Sequence, residues 1–233
     1  MKGIQGGIIF LLVFTGVFYP HPLAIAASPP AGRLVVIDPA HGGNDTGVKL
    51  SEKEYEKDLT LQLALELKKE LESSGGIKVQ LTRTSDVEIP IAKRIKTVRD
   101  AKAKMFISLH LNGGFDKKAT GYEVYFPGFS SEPERKDGVA AILKDMTGNK
   151  YLNESVALAQ VIIRNLQNVF SRKGRGLREA PIPILEGLSL PAVVVELGFA
   201  TNREDIKMIT DEKSRRAIVK ALSRSVREFL SAN

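Results

Sequence analysis

The sequence contains no cysteine and no tryptophan, and only three histidines, His21, His41 and His110, among 233 residues. Without cysteine there is no disulfide framework, no thiol nucleophile, no cysteine-rich zinc site and no iron–sulfur cluster, so the fold must rest on its core. Aromatic residues make up 6% of the chain and no nucleic-acid-binding motif is present, so nucleic acid is not an expected partner despite a net charge of +7. The basic residues are scattered, apart from a modest cluster at Arg172, Lys173, Arg175 and Arg178. Such charge fits a solvated surface or attraction to an anionic polymer. Long apolar runs are also missing, except at the start. There Lys2 precedes the apolar stretch Ile8 to Phe14, and Ala24-Ile25-Ala26 forms a small-x-small site before Ala27. This pattern predicts a signal peptide over residues 1–26 and an exported protein. Pro20 and Pro22 make the stretch short for a membrane span, and an uncleaved anchor is the alternative.

Residues 27–33 read as a linker containing Ser28-Pro29-Pro30, and residues 34–233 as one domain long enough for a sizeable core. Strands are expected at Leu34–Asp38, Ile77–Thr82, Met105–Leu109, Gly121–Phe126, Ile182–Leu185 and Ala192–Glu196. Leu59, Leu63, Leu67 and Leu71 recur at helical spacing and predict a long amphipathic helix from Glu54 to Ser74, stopped by Gly75-Gly76. Further helices are expected at Ile91–Lys102, Asp137–Met146, Glu154–Ser171, Asn202–Ile209 and Asp211–Ser231. Alternating strands and helices predict a single α/β domain: a mostly parallel twisted sheet of about six strands flanked by helices. Residues 127–153 break the rhythm and read as a functional or mobile segment.

Beyond the signal peptide only two histidines remain, and each directly follows a strand-like run. Ligands of an open α/β sheet bind outside the carboxyl ends of its strands, so His41 and His110 are expected on one edge. Either alone reads equally well as a hydrogen-bonded structural residue; together they read as ligands of one zinc ion, which favours imidazole nitrogen and carboxylate oxygen. The third ligand must be a carboxylate, with Asp38, Asp45, Glu52, Glu54, Glu56 and Glu196 as candidates. Glu56 opens the long helix after the His41 loop and can face the same edge. Glu196 follows the four apolar residues Ala192 to Val195. A half-buried carboxylate there suits a general base. Asn112, two residues past His110, is a substrate contact or a turn cap.

These motifs resemble the zinc-dependent N-acetylmuramoyl-L-alanine amidases of the amidase-3 family. The family's D-P-G-H-G-G is similar to Asp38-Pro39-Ala40-His41-Gly42-Gly43, its E-K-x-x-x-L to Glu56-Lys57-Asp58-Leu59-Thr60-Leu61, and its T-R-x-x-D to Thr82-Arg83-Thr84-Ser85-Asp86. Its S-x-H-x-N matches Ser108 to Asn112, and its P-A-V-L-V-E-x-G-F-x-x-N resembles Pro191 to Asn202. The resemblance implies zinc ligation by His41, Glu56 and His110 and catalysis by Glu196; it is what singles out Glu56. It implies cleavage of the amide between N-acetylmuramic acid and L-alanine of peptidoglycan, by a monomer in the periplasm or cell-wall space. Ala40 stands where the family has glycine, and would be strained if that position needs φ > 0. Family members often carry an extra wall-binding domain, which is not read here.

Two rival readings accompany this one. A zinc carboxypeptidase or endopeptidase would need a cation for a substrate carboxylate, for which Arg83, Arg94 and Arg178 are available. A non-catalytic wall-binding protein would not need an intact ligand set. In division amidases of the family, an insertion at the position of residues 127–153 carries a helix that blocks the zinc until a protein activator moves it. Here the segment is expected to be a weakly anchored lid that only partly covers the cleft, with Glu132, Glu134 and Asp137 either in a solvated loop, the favoured reading, or able to reach the metal's open position.

Overall fold

The computed structural model describes residues 33–73, 75–114, 118–128, 139–170 and 175–232, with side chains omitted for 139–145. Six strands form one sheet: β1 (Arg33–Pro39), β2 (Ile77–Leu81), β3 (Met105–Asn112), β4 (Glu123–Pro127), β5 (Gly176–Ala180) and β6 (Ala192–Phe199). Their order is β2-β1-β3-β6-β4-β5. Neighbours are parallel except β4 and β6, which are antiparallel. The helices among the described residues are α1 (Glu56–Ser73), α2 (Ile91–Asp100), α3 (Val139–Leu166), α4 (Arg203–Thr210) and α5 (Glu212–Ala232).

The central strands are buried on both sides, as continuous apolar runs require: Val35, Val36 and Ile37 are fully buried, and so are Ala192, Val193 and Val195. The two faces differ in weight. The stripe Leu59, Leu63, Leu67 and Leu71 of α1 joins Leu158 and Ile162 of α3 and Ile218, Leu222 and Val226 of α5 over Val35, Ile37, Ile107 and Val195. The opposite face holds a smaller cluster: Val36, Phe106 and Val194 under Val98 of α2 and Ile184 and Leu185. The polar site described below occupies the carboxyl edge of that lighter face.

Three expectations change. Ile182–Leu185 is not a strand but leads into a 3-10 turn, Pro183–Leu185, because Pro181 and Pro183 lack the N–H a ladder needs. The fifth strand is instead Gly176–Ala180, an edge strand with three exposed residues in its middle and so no hydrophobic alternation to mark it. The two helices expected at Asp137–Met146 and Glu154–Ser171 are one continuous 28-residue helix, α3. Gly148 and the asparagines around it read as a break. Yet Gly148 sits within the helix in open space, where one glycine costs only about 1 kcal/mol relative to alanine. Residues 146–150 are all exposed, Met146 included. Glu132, Glu134 and Asp137 lie outside the described residues.

Leu63 is fully buried between α1 and the sheet. Leu63→Ala is expected to lower unfolding free energy by about 2–5 kcal/mol, measured as a lower urea midpoint at unchanged slope.

Candidate metal centre

The site begins where β1 ends. Once the strand stops, the carbonyls of Pro39, Ala40 and His41 lose their ladder, and buried carbonyls need donors. Two arginines supply them. Arg94 Nη1 donates to Pro39 O at 2.8 Å, and its Nη2 donates to His41 O at 2.6 Å. Arg83 donates to Pro39 O from Nε at 3.0 Å and to Ala40 O from Nη2 at 2.8 Å. Arg83 and Arg94 are 3% and 5% exposed. Their charge is met by Asp38, whose Oδ1 accepts from Arg94 Nη1 at 2.7 Å and from the Thr82 hydroxyl, while its Oδ2 accepts from Ser108 Oγ at 2.7 Å. Neither arginine is therefore available to receive a substrate carboxylate, a correction to the carboxypeptidase reading. Asp38 is a structural anion rather than a ligand.

The turn so held is sharp. His41 has φ 61°, one of two described non-glycine residues with positive φ, and Gly42 follows at 131°. A Cβ on Gly42 would meet Val87 O at 2.2 Å, so that position accepts only glycine. Ala40 is not among the positive-φ residues, and the strain anticipated there does not arise; the left-handed step falls on His41 itself.

His41 then faces Glu56, the first residue of α1, and His110 of β3. His41 Nε2 lies 3.1 Å and His110 Nδ1 3.2 Å from the same oxygen, Glu56 Oε1. One donor atom from each of the three falls within 4.8 Å of the others, the only such group of three among the described residues. Glu56 is 1% exposed, and backbone N–H groups hold both its oxygens: Leu111 N donates to Oε1 at 2.9 Å and Val48 N to Oε2 at 3.0 Å. Asp45 sits 2.8 Å from His41 Nδ1. It orients the ring so that Nε2 points inward, the outer carboxylate commonly found behind a metal-ligating histidine. A Cβ at Gly47 would lie 2.5 Å from Glu56 Oε2 and 2.6 Å from His41 Cδ2, so this glycine lets the loop close over the ligand pair. Glu52 pairs with Lys49 and Glu54 with Ser51, both at the surface.

Electrostatics follow from that crowding. Burial alone would raise the Glu56 pKa, but the hydrogen bonds and charges of His110 and His41 outweigh it and hold the carboxyl at about 2. Burial alone would lower that of His41, but Glu56 and Asp45 raise it to about 9. An ionised Glu56 beside a protonated His41 is what such a donor set becomes when a proton takes the place of a divalent cation. Two nitrogens and one carboxylate oxygen fit a cation that keeps a fourth position open.

Glu196 is not part of this group. On β6 it lies beside His110 of β3 on one side and Glu123 of β4 on the other. Its Oε2 is buried without a hydrogen bond. Burial, reinforced by the Glu56 and Glu123 charges, pushes its pKa up to about 7 against the pull of His110. Asn112 donates from Nδ2 to Glu123 Oε2 at 3.0 Å and accepts from Gly114 N at 2.9 Å, so its amide supports Glu123 and a turn. Glu123 was not expected. It is fully buried, its Oε2 also accepts from Tyr125 Oη at 2.8 Å, and Arg175 Nε lies 3.1 Å from its Oε1. Within Gly121–Phe126 it reads as the outward polar member of an alternating strand, and only the neighbouring β6 shows that this face is covered.

Arg94→Ala leaves Asp38 buried without its counter-ion and His41 O without a donor. A loss of about 3–5 kcal/mol in unfolding free energy is expected, with weaker metal retention in dialysis; Arg99→Ala, on the exposed end of α2, serves as the control.

Comparison with known proteins agrees with this geometry. The chain is 28% identical over 220 residues to the probable cell wall amidase LytH of Staphylococcus epidermidis, a match covering 94% of this chain and 65% of that protein. The chain thus spans just under two thirds of that relative. The catalytic domain of CwlV, an N-acetylmuramoyl-L-alanine amidase from Bacillus (Paenibacillus) polymyxa var. colistinus, superposes with a TM-score of 0.71 at 25% identity, covering 86% of this chain and 99% of that one. The CwlD amidase of Clostridioides difficile, solved in complex with the GerS lipoprotein, gives 0.70 at 25% identity, covering 87% and 100%. The Amidase_3 model, described as N-acetylmuramoyl-L-alanine amidase, matches residues 35–228. With that match reaching into all six strands and covering every residue of the histidine–glutamate cluster, the chain belongs to the Amidase_3 family.

Proposed function

We propose that this protein is a zinc-dependent N-acetylmuramoyl-L-alanine amidase, cleaving the amide between the lactyl group of N-acetylmuramic acid and L-alanine of the peptidoglycan stem peptide. The observation that carries this reading is the convergence of His41, Glu56 and His110 beside a separate, half-buried carboxylate, Glu196. His41, Glu56 and His110 would hold the zinc. Zinc in that set supplies Lewis acidity, polarising a substrate carbonyl and acidifying water.

The remaining chemistry falls to the chain's own residues. Glu196 takes a proton from the attacking water and delivers it to the amide nitrogen as the C–N bond breaks. The hydroxyl stays on the carbonyl carbon and the proton leaves with the amine. A carboxyl raised to about 7 by burial suits both transfers. Asp45 keeps His41 in the tautomer that presents Nε2. Asn112 acts on substrate through Glu123 and the Gly114 turn rather than with a free amide. The carboxypeptidase alternative is weakened because Arg83 and Arg94 are held by backbone carbonyls. Every proposed ligand comes from one chain, which is compatible with a monomer. Export through residues 1–26 remains part of the proposal, and among the described residues no helix is long and apolar enough to cross a membrane. A protein activator acting on residues 127–153 is also part of it, supported by the assembly of CwlD with a lipoprotein.

His41→Ala, Glu56→Ala and His110→Ala are expected to remove most bound zinc and nearly all activity while the fold survives, read by metal analysis and circular dichroism. Glu196→Gln should keep its zinc and lose about 10²–10⁴-fold in rate, the usual span for an acid–base group. Mass spectrometry of digested wall should show intact stem peptides with free L-alanine amino termini. Undiminished activity after verified removal of all metal would refute the reading.

A further inference from the structure

The lighter face of the sheet carries a line of polar side chains at its carboxyl edge. His110 of β3, Glu196 of β6 and Glu123 of β4 are direct register neighbours, and the next position, on β5, is Gly176. Gly176 has φ 75° and, among the described residues, nothing within 4 Å of where a Cβ would stand. The line therefore runs from the histidine cluster to the sheet edge at β5.

Two arginines flank that edge. Arg175, half-exposed, reaches in to the buried Glu123 with Nε 3.1 Å from Oε1. The contact lacks hydrogen-bond geometry, since Glu123 Oε1 has no hydrogen-bond partner. Arg178 is the register neighbour of Tyr125. It is close enough for its charge to pull down the Tyr125 pKa, against the burial and the Glu123 hydrogen bond that together push it up to about 12. Arg178 is exposed, and among the described residues no carboxylate pairs with it. The inner end of this line thus carries carboxyl groups and its outer end two arginines.

We propose that Arg175 and Arg178 form an anion subsite at the β4–β5 edge of the cleft, binding a carboxylate on the second or third residue of the stem peptide. This rests on the amidase reading and names which part of the substrate lies where. Adjacent strands are about 4.8 Å apart, so two steps from Glu196 to β5 span about 10 Å. An extended peptide covers that distance in about three residues, and an arginine side chain reaches back toward the second. A scissile amide at Glu196 therefore brings a carboxylate one or two residues further on to the row of Gly176, beside Arg175, with Arg178 reaching up from two residues along β5. Arginine is suited to this because its planar fork binds carboxylate through paired N–H donors. The placement of charge also sets direction: the cations lie at the β5 edge, so an acidic group is drawn outward.

The test uses L-alanyl tripeptides, the released product, in two pairs: carboxylate against carboxamide at the second residue, and the same exchange on the third residue's side chain. Calorimetric titration of the zinc-loaded protein should show about tenfold tighter binding of the acid in at least one pair. Arg178→Ala should bring that ratio to within about twofold, and Arg175→Ala should reduce it too. Equal affinities in both pairs for the unmodified protein, or a preference that survives both substitutions, would overturn the subsite. Peptide binding needs no hydrolysis, so the two proposals fail separately. A protein that prefers the acid but leaves muropeptides uncut loses the amidase reading and keeps the subsite. One that cuts them with no preference for the acid loses the subsite alone.

Discussion

The buried pairing of Arg94 with Asp38, and the carbonyls that Arg94 and Arg83 gather around it, is the constraint on which the metal-binding edge depends. A strand that stops inside a protein leaves carbonyl oxygens without partners, and burying them unpaired is costly. Here the carbonyls of Pro39, Ala40 and His41 are satisfied by guanidinium donors from outside the strand. A guanidinium brings five donors at once, which a lysine or an amide cannot. The same bonds hold His41 in a left-handed conformation that a histidine does not adopt readily. Thr60 and Lys57 join the arrangement through Ala40 O and Gly43 O, so the start of α1, and with it Glu56, is tied to the same turn.

A second consequence concerns charge. The site places three carboxylates, Glu56, Glu196 and Glu123, on neighbouring elements with little exposure to water. Their environments separate them. Glu56 lies between two imidazoles and two backbone N–H groups and stays ionised. Glu196 has no such partners, and burial makes its proton hard to remove. Groups of one type pushed apart by their surroundings can divide the work of ligand and base. Glu123, held by Asn112, Tyr125 and Arg175, places a third carboxyl group beside Glu196 that is bound in position rather than free to act.

Much of this is legible in the sequence because it depends on local pattern. The apolar runs around Val36, Phe106 and Val194 announce buried strands, the leucine spacing of α1 announces its core face, and a histidine at the end of each of two strands points to a shared edge. The α/β class and the His41, Glu56, His110 cluster follow from such patterns together with the family resemblance. The failures are equally physical. β5 lacks hydrophobic alternation because it is an edge strand, and α3 reads as two helices because Gly148 and its neighbours have weak helix propensity where no packing compensates.

What the sequence by itself determined is the class of fold, the strand ends at which chemistry can occur, and the absence of any thiol alternative. Tertiary structure alone decided the fate of the arginines and carboxylates. Arg83, Arg94 and Arg178 look alike in a sequence. Two became buried braces under a turn and one stayed exposed at a sheet edge, because sequence records neither which carbonyls a strand end leaves unpaired nor which helix covers them. Glu123 reads as a solvent-facing residue until β6 is placed beside β4. Long-range pairing, with the burial it imposes, turned that position into part of the site.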